Sequence, residues 1–347
     1  MNKNTKARHQ QNKMVFCSIN SVKALCQLLQ IDQRRMQLLL KKPPYKVFHI
    51  PKKDGGERII EAPGNELKKV LSILNRYLQS VYFFERSNAV YGFVAGVRND
   101  EDRRNVLTNA KKHVGKPYLL NIDLADFFHS ISQEKVYQIF SEQPFQFKRE
   151  IPELLAGLTT YQGHLPMGTP TSPVLSNFAC CQLDLELYEL SQDMGWIFTR
   201  YADDMTFSAG YPILKEKVDV IRFIVEKQGF RINERKVKMF GPSDDKIVTG
   251  LLVSDQVSLA PDYLPRLEKD IEQLALIMQA QNEQGELHTR WVEQYKRHII
   301  GRLNFAAFVM KRNSAQYMAL KDSYYTAINP PQEEFGAISW RGFPYNL

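Results

Sequence analysis

The stretch Phe198 to Ala209, FTRYADDMTFSA, limits what this chain can fold into more than any other. Phe198, Tyr201, Met205 and Phe207 suit a buried strand. Asp203 and Asp204 interrupt it, and unpaired charge inside a strand is costly. Two readings fit: a plain hairpin turn, where Asp-Asp steps are common, or a hairpin tip whose fixed carboxylates hold a hard cation. A second stretch, Tyr118 to Ile131 (YLLNIDLADFFHSI), favours the cation, because another strand-like run ends there in Asp123. A small sheet would gather Asp123, Asp203 and Asp204. Without counter-ions the three would raise one another's pKa values. Magnesium relieves that repulsion and binds substrate phosphates as well. Two such ions about 4 Å apart can activate an attacking hydroxyl and stabilise the leaving oxygen. The residues alone stop at phosphoryl transfer on a nucleotide.

Around these stretches the chain reads as α+β. Residues 1–15 carry Lys3, Lys6, Arg8 and Lys13 with no acid and read as a loose basic arm. Helical spacing runs from Ser21 to Lys42 and stops at Pro43-Pro44. Tyr45 to Pro63 is a hairpin around Lys52-Lys53-Asp54-Gly55-Gly56. Its cations, Lys52, Lys53 and Arg58, are either surface charge or a grip on a triphosphate. An amphipathic helix follows from Asn65 to Tyr82. The basic region from Ser87 to Val114 includes Arg98 and His113; alone, His113 reads as structural, and no second His stands at a zinc-like spacing. Helices are expected at 132–140, 151–161, 172–190 and 215–229. LPMGTPTSP, from Leu165, is a rigid loop that leads into a helix or forms a shelf for a base pair. Beyond Pro261 the pattern becomes purely helical, which marks a boundary near 255–262.

Composition sets the partners. Lys and Arg exceed Asp and Glu by 46 − 38 = 8, a balance that fits a polyanionic partner or a merely solvated basic surface. Cys17, Cys26, Cys180 and Cys181 fit neither a zinc knuckle nor a disulfide framework. No apolar run approaches a membrane span and no signal-peptide core precedes residue 20, so a cytoplasmic, membrane-free protein is expected.

The residues also resemble a family. Tyr201-Ala202-Asp203-Asp204 looks like the YADD box of reverse transcriptases, Asn121 to Phe128 (NIDLADFF) like their first palm motif, and LPMGTPTSP like their conserved loop and helix. The resemblance runs in order from about Tyr45 to Arg312. Asn109-Ala110-Lys111-Lys112-His113 is similar to the NAxxH element of bacterial retron reverse transcriptases, and Val248-Thr249-Gly250 to their VTG element. The resemblance implies a right-hand polymerase: a basic arm at 1–20, fingers at 21–115 and 132–165, palm at 116–131 and 166–255, a helical thumb at 256–328, and a tail at 329–347.

By position, Asp123, Asp203 and Asp204 would be the catalytic carboxylates. With the Leu124 carbonyl they would hold two Mg2+ ions. Lys52 and Arg58 would bind the triphosphate, and Lys236, or failing it Lys238, would assist the leaving pyrophosphate. Phe128 would abut the sugar and favour deoxynucleotides; the alternative is that Phe127 and Phe128 are both core. Met167, before Gly168, stands where most of the family has Gln, which puts fidelity and nucleotide affinity in question. RNA contacts would come from Asn109, His113, Val248, Thr249, Gly250, Lys296, Arg297 and Arg302. The implied activity is RNA-directed DNA synthesis on a cognate structured non-coding RNA that is both template and primer. The product would be branched RNA-linked single-stranded DNA (msDNA). A separately encoded effector in antiphage defence is also implied. The rivals are an abortive-infection or diversity-generating reverse transcriptase, and an inactive polymerase-like RNA-binding protein.

Overall fold

A computed structural model describes residues 3–52, 55–96, 103–284 and 290–329. Lys53, Arg98 and the tail beyond residue 329 lie outside the described residues. The chain divides into two compact units, Met1–Gln256 and Val257–Leu347.

In the first unit the basic N-terminus is not a loose arm but helix α1 (Lys3–Cys17). Tertiary packing overrides its polar composition. His9 stacks on Phe83 at 4.7 Å and meets the Ser80 hydroxyl at 3.0 Å, while Phe16 is buried among Tyr77, Phe145 and Phe147. Residues 21–42 form two helices, α2 (Val22–Leu29) and α3 (Gln33–Lys41). The break follows from Gln30 at φ +55° and from Asp32, whose carboxylate accepts the Arg35 N–H at 2.8 Å as a new N-cap.

Strands β1 (Tyr45–Pro51) and β2 (Glu57–Pro63) pair antiparallel around the expected turn. Helix α4 (Asn65–Glu85) buries Leu67, Val70, Leu71, Leu74 and Leu78 on one face. Next come α5 (Val106–Lys111) and β3 (Tyr118–Asp123). They are followed by α6 (Gln133–Ser141), capped by Ser132, and α7 (Ile151–Thr159). The helix expected at 172–190 divides at Cys180 into α8 (Ser172–Ala179) and α9 (Cys181–Asp193).

Strands β4 (Ile197–Tyr201) and β5 (Asp204–Ala209) form the second hairpin, and α10 (Lys215–Lys227) follows. Residues 230–240 give a β-bridge from Ile232 to Leu124, one short helical turn, and β6 (Lys238–Phe240). The sheet order is β4-β5-β3-β6. β3 runs antiparallel to both its neighbours. Leu120, Ile122, Met205 and Phe207 are buried in it, and each contributes about 1.5–3 kcal/mol of apolar burial. β7 (Ile247–Val248) and β8 (Leu251–Val253) close the unit as a short hairpin.

The second unit holds a short strand, β9 (Val257–Leu259), and helices α11 (Tyr263–Gln284), α12 (Arg290–Met310) and α13 (Ala315–Ile328). They share a core of their own, including Leu267, Leu274, Ile299, Leu303 and Leu320. No helix among the described residues is long and apolar enough to cross a membrane.

Candidate active site

The carboxylates meet because of strand register. Asp123 ends β3 and lies opposite Asp204, the first residue of β5. Asp203 sits in the two-residue turn between Tyr201 and Asp204, and its carbonyl accepts the Leu124 N–H at 3.0 Å. Desolvation, then the charges of Asp203 and Asp123, push Asp204 up to about 7. Asp203 is raised by the same causes, desolvation and then Asp123, while Lys236 and Arg58 pull the other way. The three carboxylates therefore form one electrostatic unit. Their donor atoms do not all lie within 4.8 Å of one another. Hard oxygen donors that resist their own negative charge are the donor set that suits divalent cations.

Cations already lean on this unit. The Lys236 ammonium is 3.0 Å from Asp123 Oδ1 and 3.1 Å from Oδ2. Burial opposes its charge, but the hydrogen bond to Asp123 and the charges of all three aspartates raise its pKa. Asn233, which sequence reasoning missed, donates its side-chain N–H to Asp123 Oδ1 at 3.1 Å and its backbone N–H to the Asp123 carbonyl at 2.8 Å. Arg58, paired across the hairpin with Ile50, is near enough for its charge to act on Asp203. Lys52 is exposed at the end of β1.

The turn that carries Asp203 is strained and braced. Ala202 has φ +59°, a region that costs a non-glycine residue about 1–2 kcal/mol. Directly behind it is Gly92, where a Cβ would stand 2.4 Å from the Ala202 nitrogen. Only glycine allows that approach. The fully buried Arg200 holds the other side. Its Nη1 donates to the Ala202 carbonyl at 2.9 Å, and its Nε and Nη2 grip Asp184 bidentately at 2.6 and 2.7 Å. Asn177 completes the network, accepting from Arg200 at 3.2 Å and donating to the Gly92 carbonyl at 3.0 Å. A fully buried arginine on a strand edge is a signal the sequence does not display.

Phe128 is half-buried, with ring centroids 6.0 Å from Phe93 and 5.4 Å from Phe127. Phe127 is buried, so of the adjacent pair Phe128 is the one with accessible surface. The Met167 carbonyl accepts the Glu61 N–H at 2.8 Å, which docks the LPMGTPTSP loop on β2. Gly168, at φ +131°, has the Glu61 carbonyl 3.1 Å from where a Cβ would be.

The residues expected to meet RNA divide between the two units. Asn109, His113 and Val248 are buried, which closes their side chains to a nucleic acid and corrects that expectation. His113 pins the sheet from behind: Nδ1 lies 2.7 Å from the Ser208 hydroxyl and Nε2 2.7 Å from that of Thr199. Its burial lowers its pKa to about 3. Thr249, with φ +48°, reaches back to the Val106 carbonyl at 3.4 Å, and Gly250 turns with φ +81°. In the second unit Arg297 is exposed, whereas Lys296 pairs with Glu293 at 3.2 Å. Arg302 is committed inside its own unit, to Asp270 and to the face of the Tyr263 ring.

A small antiparallel sheet that offers carboxylates from two neighbouring strands, between a cationic hairpin and helices, is the framework of the right-hand polymerases. The model of the family described as reverse transcriptase (RNA-dependent DNA polymerase) matches residues 50–274. The chain is 33% identical over 217 residues to the Retron Ec86 reverse transcriptase of Escherichia coli, covering 61% of this chain and 64% of that protein. It is 30% identical over 226 residues to the Retron Ec73 reverse transcriptase of the same organism, covering 60% of this chain and 69% of that one. Among solved structures, apo telomerase from Candida tropicalis aligns with a TM-score of 0.47 at 11% identity, covering 83% of this chain and 59% of that one. The chain belongs to the reverse transcriptase family, among its retron members.

Proposed function

We propose that this protein is the RNA-directed DNA polymerase of a retron. In this reading it copies a cognate structured RNA, as template and primer, into RNA-linked single-stranded DNA, with dNTPs as substrates. The observation that carries it is the register that sets Asp123 opposite Asp204 with Asp203 in the turn between β4 and β5. Asp123, Asp203 and Asp204, with the Leu124 carbonyl, would hold two Mg2+ ions. When bound, these supply charge stabilisation to both the attacking and the leaving oxygen of an in-line displacement.

The chain's own groups do the rest. Arg58 and Lys52 orient the triphosphate from the hairpin, since guanidinium matches phosphate oxygens bidentately. Lys236, whose ammonium stands 3.0 Å from the Asp123 carboxylate, would neutralise the departing pyrophosphate. Phe128 closes the space beside C2′ and so disfavours a ribose hydroxyl, and the Met167–Gly168 backbone forms the shelf for the new base pair. Met167 packs without the hydrogen bond that Gln would offer. Branched msDNA as product, and a separately encoded effector in antiphage defence, belong to the same reading.

The test is the double variant Asp203→Asn/Asp204→Asn. It should abolish DNA synthesis on an RNA template while RNA binding persists. Extension at the wild-type rate would refute the metal assignment.

A further inference from the structure

We propose that Glu61, His129 and His164 form a second metal site, for a late first-row divalent ion with Zn2+ foremost, independent of the aspartates and of the polymerase reading. Among the described residues they are the trio whose donor atoms all lie within 4.8 Å of one another. His129 Nε2 stands 3.2 Å from Glu61 Oε2, and His164 Nε2 3.1 Å from Oε1. The two imidazoles are steeply inclined, at 77° with centroids 4.6 Å apart, so that both Nε2 atoms converge on one carboxylate.

Burial makes that carboxylate unusual. The Glu61 side chain is 5% exposed, and the ion-pair partners it has are these two imidazoles. The Met167 N–H adds a long hydrogen bond at 3.3 Å. A buried carboxylate needs compensating charge, and a divalent ion between the three donors supplies it. Two imidazoles and one carboxylate are the donor set of open zinc sites; Mg2+ and Ca2+ prefer all-oxygen sets. Zinc bonds of about 2.0–2.2 Å require a modest inward movement of the rings. The two rings are 27% and 22% exposed, so water reaches the cluster.

The three ligands come from separate elements, each fixed by backbone. Glu61 lies on β2, held to Met167. His129 follows Phe128 in the turn after β3. His164 ends a tight turn whose backbone bonds to Tyr161 are 2.9 and 3.2 Å. An ion here would cross-link the cationic hairpin to the Phe128 turn and the LPMGTPTSP loop. The spacing gives no zinc signature because Glu61 lies 68 and 103 residues from its partners.

The test uses the full chain, stripped by chelation and titrated with Zn2+ alone by calorimetry, then with Co2+ followed by visible absorption. Wild type should take up about one tight equivalent and show intense ligand-field bands of low-symmetry cobalt. His129→Asn and His164→Asn should each weaken Zn2+ binding at least about 100-fold and bleach those bands, while Asp203→Asn/Asp204→Asn should leave both unchanged. Matched thermal unfolding of the metal-free proteins separates ligand loss from misfolding, with His129→Gln and His164→Gln as second variants. Wild type without stoichiometric zinc, or folded histidine variants that bind as wild type does, would overturn the site and leave a hydrogen-bonded His–Glu–His cluster only.

Discussion

His113 and Phe128 show how burial decides a residue's part. His113 is neutral in the folded state because its pKa has dropped from 6.5 to about 3. Between those values the unfolded chain binds the extra proton, so stability falls as pH falls from 6.5, by about 1.4 kcal/mol per pH unit for this one group. His113→Gln should lose about 1–3 kcal/mol at neutral pH from broken buried hydrogen bonds. It should also flatten the acid limb of urea-unfolding stability against pH; equal slopes in variant and wild type would mean that the ring titrates normally. Phe128 keeps accessible surface where its neighbour Phe127 is buried. Phe128→Ala should raise ribonucleotide incorporation relative to deoxynucleotides while primer extension survives. An unchanged ratio in paired single-nucleotide assays would move sugar discrimination to another side chain.

At the scale of elements, the two aspartate-bearing strands were legible because their apolar runs end abruptly in charge, and a pleated strand tolerates that only at its tip. The hairpin at 45–63 was equally plain from its Lys-Asp-Gly-Gly turn. What stayed hidden depends on partners distant in sequence. α1 is a helix because His9 and Phe16 find a face to pack on, and the buried places of Asn109 and His113 appear only once α5 lies behind the sheet. Arg200 is the sharpest case: as one cation in a strand it says nothing, yet it braces the turn beside Asp203. Arg200→Met alone should cost about 3–5 kcal/mol, because Asp184 is left buried and unpaired. Arg200→Met/Asp184→Leu should recover much of that stability but not the donor to Ala202. The Mg2+ concentration for half-maximal synthesis should then rise about 10–100-fold, the size of effect seen when the groups that orient metal ligands are lost. A stable double variant with the wild-type Mg2+ requirement would reduce Arg200 to a packing residue.

For the whole molecule, the excess of eight positive charges fits an RNA partner read largely through phosphates and shape. The structure separates cations free to act from cations already spent. Arg302 is held by Asp270 and stacked on Tyr263, and Lys296 is paired with Glu293, so neither offers its full charge to a phosphate. Arg297, on the same helix, is exposed. Two substitutions on α12 should therefore act in opposite ways. Arg297→Glu should weaken association with the cognate RNA and reduce the slope of log affinity against log salt by about 1, leaving thermal stability within about 0.5 kcal/mol of wild type. Arg302→Gln should leave the salt slope nearly intact and lower the melting point, since it frees a partly buried Asp270 from its partner. Filter binding across a salt series, read beside thermal melts, distinguishes them. Unaltered affinity and slope in Arg297→Glu would remove this helix from the RNA interface and leave binding to the first unit.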